Sequence, residues 1–258
     1  MAPVRRTLAV VGWHARLYRN LWFGTMTVSF LNPIFFLVSI GVLLGTLVDQ
    51  ANPDLGGLSY LQFVAPALLA TTAMQTASTV TTFPVMAGIK WVKTWHAVVA
   101  TPVRVPELIG GVLAWTGVRV AVAVSVFGVV AAVGGAFASP LAVLAPFAAI
   151  LCGLAFGALL AGITATAENP QWLAAIFRFG LVPLFLFSGT FFPVSQLPDW
   201  AELLAWVTPL WHGVELCRDL ASGSISLAPT VVHIGYLVAL TAVGAVVAVH
   251  STARKLKG

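Results

Sequence analysis

The chain has 258 residues, 59% of them hydrophobic and only 8% charged, with a formal net charge of +5. Soluble domains carry roughly 25% charged residues, so this composition excludes a water-soluble globular protein. At about 20 apolar residues per span, the length holds six helical spans with short connections and leaves no room for a separate soluble catalytic domain. The basic balance is explained by where the charges lie along the chain, and no nucleic-acid partner is expected.

Residues 1–20 lack the grammar of a signal peptide, because Gly12, His14 and Arg16 interrupt the apolar stretch. At about 100° per residue, Arg5, Gly12, Arg16 and Arg19 share one side of a helix over 4–20, and Val4, Leu8, Val11, Ala15 and Tyr18 share another. A basic face beside an apolar face is the pattern of a helix lying on a membrane surface; the alternative is a frayed basic terminus. The first span is expected over about 22–47, kinked at Asn32-Pro33, and is followed by an acidic loop over 49–57. The second, about 58–86, is rich in small residues through its middle.

Residues 88–106 break the apolar pattern. Trp91, Trp95 and Val98 recur at helical spacing while Lys90, Lys93 and His96 occupy other faces, and Pro102 and Pro106 close the segment. This spacing predicts an amphipathic helix of about three turns. It fits equally a helix resting at the lipid headgroups and a docking helix for a soluble partner. The third span follows over about 108–133 and the fourth over about 141–165, where Gly153, Gly157 and Ala161 form a stripe that lets helices approach closely. Glu168-Asn169-Pro170 marks a turn into the fifth span, about 172–190.

Residues 191–224 carry apolar runs too short to span, broken by Pro193, Pro198 and Pro209. They predict a re-entrant hairpin on the outer side, serving either as part of a translocation route or as a lid on the bundle. The sixth span, about 227–249, leads to a tail with Arg254, Lys255 and Lys257. With both termini inside, the inner segments hold ten of the thirteen Lys and Arg residues, and six of the eight acids fall on the outer side. That distribution orients the protein N-in and C-in.

Arg119, well inside the third span, is costly in lipid and marks either a functional site or a structural pairing. Arg178 lies nearer an end and can snorkel. His212 and Glu215 share a helix face, but no second pair exists to complete a metal site. Of the two cysteines, Cys152 reads as an apolar filler, and Cys217 falls in the outer segment, where a free thiol can exist. The sequence has no G-x-x-x-x-G-K-[ST], H-E-x-x-H or G-x-S-x-G motif.

The order of parts resembles the membrane subunit of ABC-2 type exporters. YLQFVAPALLATTAMQTAS (60–78) looks like the second span of the subgroup containing the rhizobial nodulation-factor exporter permeases. TWHAVVATP (94–102) is similar to that family's coupling helix, which typically ends in an A-T-P or Y-T-P step. FSGTFFPVSQLP (187–198) and TPLWH (208–212) resemble its fifth-span exit and outer hairpin.

The resemblance covers essentially the whole chain as a single transmembrane domain of a multi-pass protein of the bacterial cytoplasmic membrane. It implies a transport subunit that is not itself an enzyme and binds no cofactor, with ATP and Mg held by a separate cytoplasmic ATPase present in two copies. A second permease copy, most simply an identical one, and membrane lipids complete the assembly. Lys90, Trp91, Lys93, Trp95, His96 and Val98 would contact the ATPase. Thr71, Gln75, Arg119, Phe187, Trp211 and His212 are candidates along the route of an amphipathic cargo: a lipid-linked or lipidated oligosaccharide, a lipid or a hydrophobic drug. The alternatives are a membrane-embedded lipid-modifying enzyme and an ATP-independent channel or scaffold.

Overall fold

The computed structural model describes residues 2–19, 35, 37–39, 45 and 57–257. The expected first span with its Asn32-Pro33 kink, and the acidic loop after it, lie outside these residues apart from isolated positions. Among the described residues all regular structure is helical. The chain order is α1 (Pro3–Arg19), α2 (Tyr60–Thr81), α3 (Phe83–Met86), a π-helical turn (Ala87–Trp91), α4 (Thr94–Val99), α5 (Val105–Val133), a 3₁₀ turn (Pro140–Leu144) leading into α6 (Ala145–Thr166), α7 (Pro170–Ala175), a π-helical stretch (Ile176–Leu181), α8 (Val182–Phe187), α9 (Asp199–Trp206), α10 (Pro209–Ser222) and α11 (Leu227–Lys257).

Among the described residues, four stretches are long and apolar enough to cross a membrane: Val105–Val133, Pro140–Thr166, Pro170–Phe187 and Leu227–Lys257. They match the third to sixth expected spans, with two adjustments. The fifth ends at Phe187, and the last helix runs on to Lys257, so Arg254, Lys255 and Lys257 sit on its final turns. α2 is more polar but no less buried. The hydroxyls of Thr71, Thr72, Ser78, Thr79 and Thr81 each donate to the carbonyl four residues earlier, which satisfies them without a partner from another helix. Its start is fixed by a capping box in which Ser59 Oγ accepts the Gln62 N–H and Gln62 Oε1 accepts the Ser59 N–H.

α6 is the centre of the bundle. Gly153 packs against Ala73 of α2 and Val120 of α5, and Gly157 against Ala77 and Thr81 of α2 and Thr116 of α5. On its other side Gly162 meets Ala248, and a Cβ at Gly244 of α11 would stand 2.7 Å from the Leu159 nitrogen, so the two backbones touch. Residue numbers rise together in α2, α6 and α11 and fall in α5, so the first three run parallel and α5 opposes them. The small-residue stripe therefore packs within one subunit.

α1 follows α5 over its first four turns. Arg6 meets Glu107, Val10 meets Gly111, His14 stacks near Trp115 and Tyr18 lies on Arg119, a constant offset maintained as both chains advance. A helix lying flat on a membrane surface would cross α5 at a steep angle; α1 runs alongside it. Gly111 makes this possible, because a Cβ there would come within 2.5 Å of the Val10 Cβ. The side of α1 carrying Val4 and Leu8 stays exposed, as do Arg5, Arg16 and Arg19.

Two cores result. The larger fills the bundle between α2, α5, α6, α10 and α11. The smaller, at one end, gathers Val10, Val85, Ile89, Trp95, Leu108, Ile109, Ala165 and Ala248 from seven different elements. Arg6 of α1, the basic residues around α4 and those of the α11 terminus share that end, whereas Glu215 and Asp219 belong to the opposite one.

Candidate coupling face and translocation groove

The segment between α2 and α5 is not one helix of three turns. Val92 and Lys93 N–H groups both donate to the Ala87 carbonyl, at 2.8 and 3.3 Å, closing the π-helical turn. Lys93 then takes a left-handed backbone conformation with φ 57°, the only non-glycine to do so among the described residues. The chain restarts as the six-residue α4. Lys90 Nζ donates to the Glu168 carbonyl at 3.0 Å, tying the segment to the turn before α7.

The six residues expected to contact a partner divide between two roles. Trp95 is 2% exposed, its indole pressed onto Gly88, and it belongs to the smaller core. Trp91, Lys93 and His96 are exposed, and Lys90 and Val98 are half-buried. Trp95 thus anchors α4 and presents Lys93 and His96 outward. Spacing alone placed Trp91 and Trp95 on one face, but the break at Lys93 separates them.

The route candidates are also dispersed. Thr71 is buried and bonded to its own helix. Arg119 lies with its Cζ 3.9 Å from the Tyr18 ring centroid, so its charge is met by an aromatic face of α1. Phe187 is half exposed at the end of α8. Trp211 and His212 belong to an aromatic cluster in which His212 Nδ1 and His233 Nδ1 are 2.7 Å apart and the His212 ring stacks on Tyr236. Burial, and then the neighbouring His233, bring His212 down to about 4. His212 is therefore neutral at physiological pH, and one imidazole of the pair donates to the lone pair of the other. Glu215 instead pairs with Arg218 at 2.6 Å, so the H-x-x-E residues serve different partners, and no metal-ligating cluster occurs among the described residues.

Among the described residues, Gln75 of the route candidates lines an open groove. This cavity of about 550 Å³ lies between α2 and the α7–α8 stretch, with Gln75 and Thr79 on one wall and Phe177, Arg178, Leu181 and Phe185 on the other. Gln75 and Thr79 are one helical turn apart, a spacing visible in the sequence. Arg178 enters because it sits in the π-helical stretch ahead of Pro183; proline removes an N–H and crowds the preceding turn, and such widened turns recur at functional sites.

Arg218, not singled out by spacing, secures the opposite end. Its Nη2 donates to the Gly189 carbonyl at 2.7 Å, and its Cζ lies 4.0 Å from the Phe63 ring centroid. It thereby joins α10 to the exit of α8 and to α2. Ser188 and Thr208 hydroxyls add a bond of 3.0 Å. Cys217, expected in an accessible segment, is fully buried, with its thiol directed at the Ala145 carbonyl. Cys152 is likewise buried and packs on Gly213. α9 is different, because Trp200, Leu203, Leu204 and Val207 form an exposed apolar face beyond the buried Ala201 and Ala205.

A second cavity, of about 300 Å³, lies across the bundle from the groove. It is lined by Leu144, Phe147, Ala148 and Leu151 of the α6 side, Leu216, Asp219 and Leu220 of α10, and Ile225, Thr230 and Ile234 leading into α11.

The family model described as ABC-2 type transporter matches residues 8–221. Nodulation protein J of Rhizobium meliloti (strain 1021) is 31% identical over 208 residues, covering 80% of this chain and 77% of that protein. Nodulation protein J of Rhizobium leguminosarum bv. trifolii is 34% identical over 194 residues, 74% of this chain and 71% of that one. The protein of the same name from Neorhizobium galegae is 27% identical over 221 residues, 83% and 82% of the two chains. A multi-pass helical bundle matched over most of its length in this way is a membrane component of the ABC-2 type transporter family, and the chain belongs to that family.

Proposed function

We propose that this chain is the permease subunit of an ATP-driven exporter in a bacterial cytoplasmic membrane, working as two copies with two copies of a separate cytoplasmic ATPase. The observation that carries the reading is the α4 platform. A buried tryptophan fixes a short helix at the basic end of the bundle, and Lys93 and His96 stand exposed on it. Movement imposed there reaches α5, α6 and α11 through the smaller core that Trp95 shares with them.

In this reading both termini face the cytoplasm, and α2 crosses the membrane together with the four apolar stretches; the expected first span lies outside the described residues. α9 and α10 form the re-entrant outer hairpin, with the exposed face of α9 against the outer leaflet. The groove between α2 and the α7–α8 stretch suits an amphipathic cargo, since apolar phenylalanines and leucines adjoin Gln75, Thr79 and Arg178. The cargo classes compatible with such a groove are a lipid-linked or lipidated oligosaccharide, a lipid and a hydrophobic drug. The partner ATPase binds ATP and Mg, and this chain binds neither.

Co-expression with a candidate ATPase tests the proposal. A copurified ATPase whose turnover collapses on Lys93→Glu, at an exposed site that leaves the bundle intact, supports it. Full export by vesicles containing the chain and no ATPase overturns it.

A further inference from the structure

The cavity bounded by α6, α10 and α11 is built from three stripes at helical spacing. Phe147, Ala148 and Leu151 come from α6, Leu216, Asp219 and Leu220 from α10, and Thr230 and Ile234 from α11. Its walls are apolar except at Thr230, whose hydroxyl donates to the Ser226 carbonyl at the head of its own helix, and at Asp219, which heads no ion pair among the described residues. The neighbouring Arg218 is directed elsewhere, to Glu215, the Gly189 carbonyl and Phe63. A carboxylate left facing an apolar cavity is unfavourable unless a cation completes it. Burial, and then Glu215, push Asp219 up to about 6, with Arg218 opposing, as befits an acid short of a counter-charge. The rim residues Phe147 and Ile234 are exposed, so the cavity opens sideways where lipid would lie.

We propose that this cavity binds an amphipathic primary amine, its alkyl chain among the apolar stripes and its ammonium group on the Asp219 carboxylate. The volume of about 300 Å³ is at the small end of ligand cavities and suits a single chain. A fatty acid or an organic phosphate is disfavoured, because the lining offers an anion no cationic partner. The site is separate from the groove holding Gln75 and Arg178 and does not rest on the choice of cargo. The amine could be supplied by an aminophospholipid or by a free alkylamine, which share this chemistry.

The test is equilibrium binding of radiolabelled dodecylamine to the full chain in phosphatidylcholine nanodiscs, with empty nanodiscs subtracted. Saturable binding is expected, weakened at least tenfold by Asp219→Asn and lost when Ala148→Trp fills the cavity. Dodecanol and dodecanoate should show no saturable binding. Should Ala148→Trp fail to fold, Leu144→Trp at the exposed rim makes the same test. Displacement of dodecylamine by added phosphatidylethanolamine assigns the site to a lipid headgroup; undiminished binding assigns it to a free amine. Equal dodecylamine affinity in the wild type and Asp219→Asn, or equally tight dodecanoate, overturns the proposal.

Discussion

Arg6 and Glu107 join the N-terminal helix to the first turn of α5. Arg6 Nη1 donates to both carboxylate oxygens at 3.0 and 3.3 Å, and Glu107 Oε2 also accepts the Arg104 N–H at 2.9 Å. One carboxylate thus satisfies a free N–H at a helix start and holds α1 in register with α5, at a helix end where negative charge is favoured. Arg6→Gln and Glu107→Gln should each lower the thermal midpoint, and the double variant should fall by less than the sum of the two. Additive losses would show that the two side chains act independently.

Trp95 and Trp91 are expected to behave differently despite their similar sequence setting. Trp95→Ala removes a side chain 2% exposed from the smaller core and should cost about 3–5 kcal/mol. Trp91, 50% exposed, should tolerate alanine within about 0.5 kcal/mol. Thermal unfolding of the purified variants separates the two, and loss of ATPase binding by Trp91→Ala at unchanged stability would assign that residue to docking.

Cys217 should resist thiol reagents in the folded protein. Its side chain is fully buried, and burial raises the thiol well above its ordinary range, which suppresses the reactive thiolate. An impermeant maleimide applied to intact cells should leave it unlabelled, and labelling should appear on denaturation. Rapid labelling of the native protein would contradict the seating of α10.

Asp219 gives stability a specific pH dependence. The folded value of about 6 lies above the ordinary 3.8, so the folded state holds this proton more tightly than the unfolded chain. By linkage, the contribution of this group favours folding most below about pH 4 and declines as pH rises through about 6. The thermal midpoint of the wild type relative to Asp219→Asn should therefore fall across that window. A flat difference would show a fully solvated carboxylate.

Gly213 marks the closest seating of α10 on α6, since a Cβ there would stand 2.5 Å from Cys152 Sγ. Gly213→Ala should lower the thermal midpoint, and Cys152→Ala should restore part of the loss by removing the sulfur. No recovery in the double variant would place the strain elsewhere.

The positions of α5, α6, the α7–α8 stretch and α11 were legible from apolar run length, and α9 and α10 from proline placement. Gly153 and Gly157 announced a close helix approach, which α2 and α5 provide. The candidate site was less legible. Gln75 lines the groove while Thr71, on the same helix, does not. Arg178 reaches it through a π-helical stretch that hydrophobic periodicity does not reveal. Trp91 and Trp95 share a face only on an unbroken helix, and the left-handed turn at Lys93 divides them.

Apolar length, proline placement and the distribution of Lys and Arg are properties of a chain read in one dimension, and the bilayer acts on them directly. They suffice for a membrane bundle with short helices after the fifth apolar stretch. The roles of Trp95, Arg119, Arg218 and Asp219 depend instead on which neighbour each side chain meets. Trp95 became a core anchor because Gly88 makes room for it, and Arg119 is matched because α1 lies along α5. Arg218 and Asp219 are adjacent in the chain, yet one closes a junction and the other faces a cavity, since successive residues of a helix point about 100° apart.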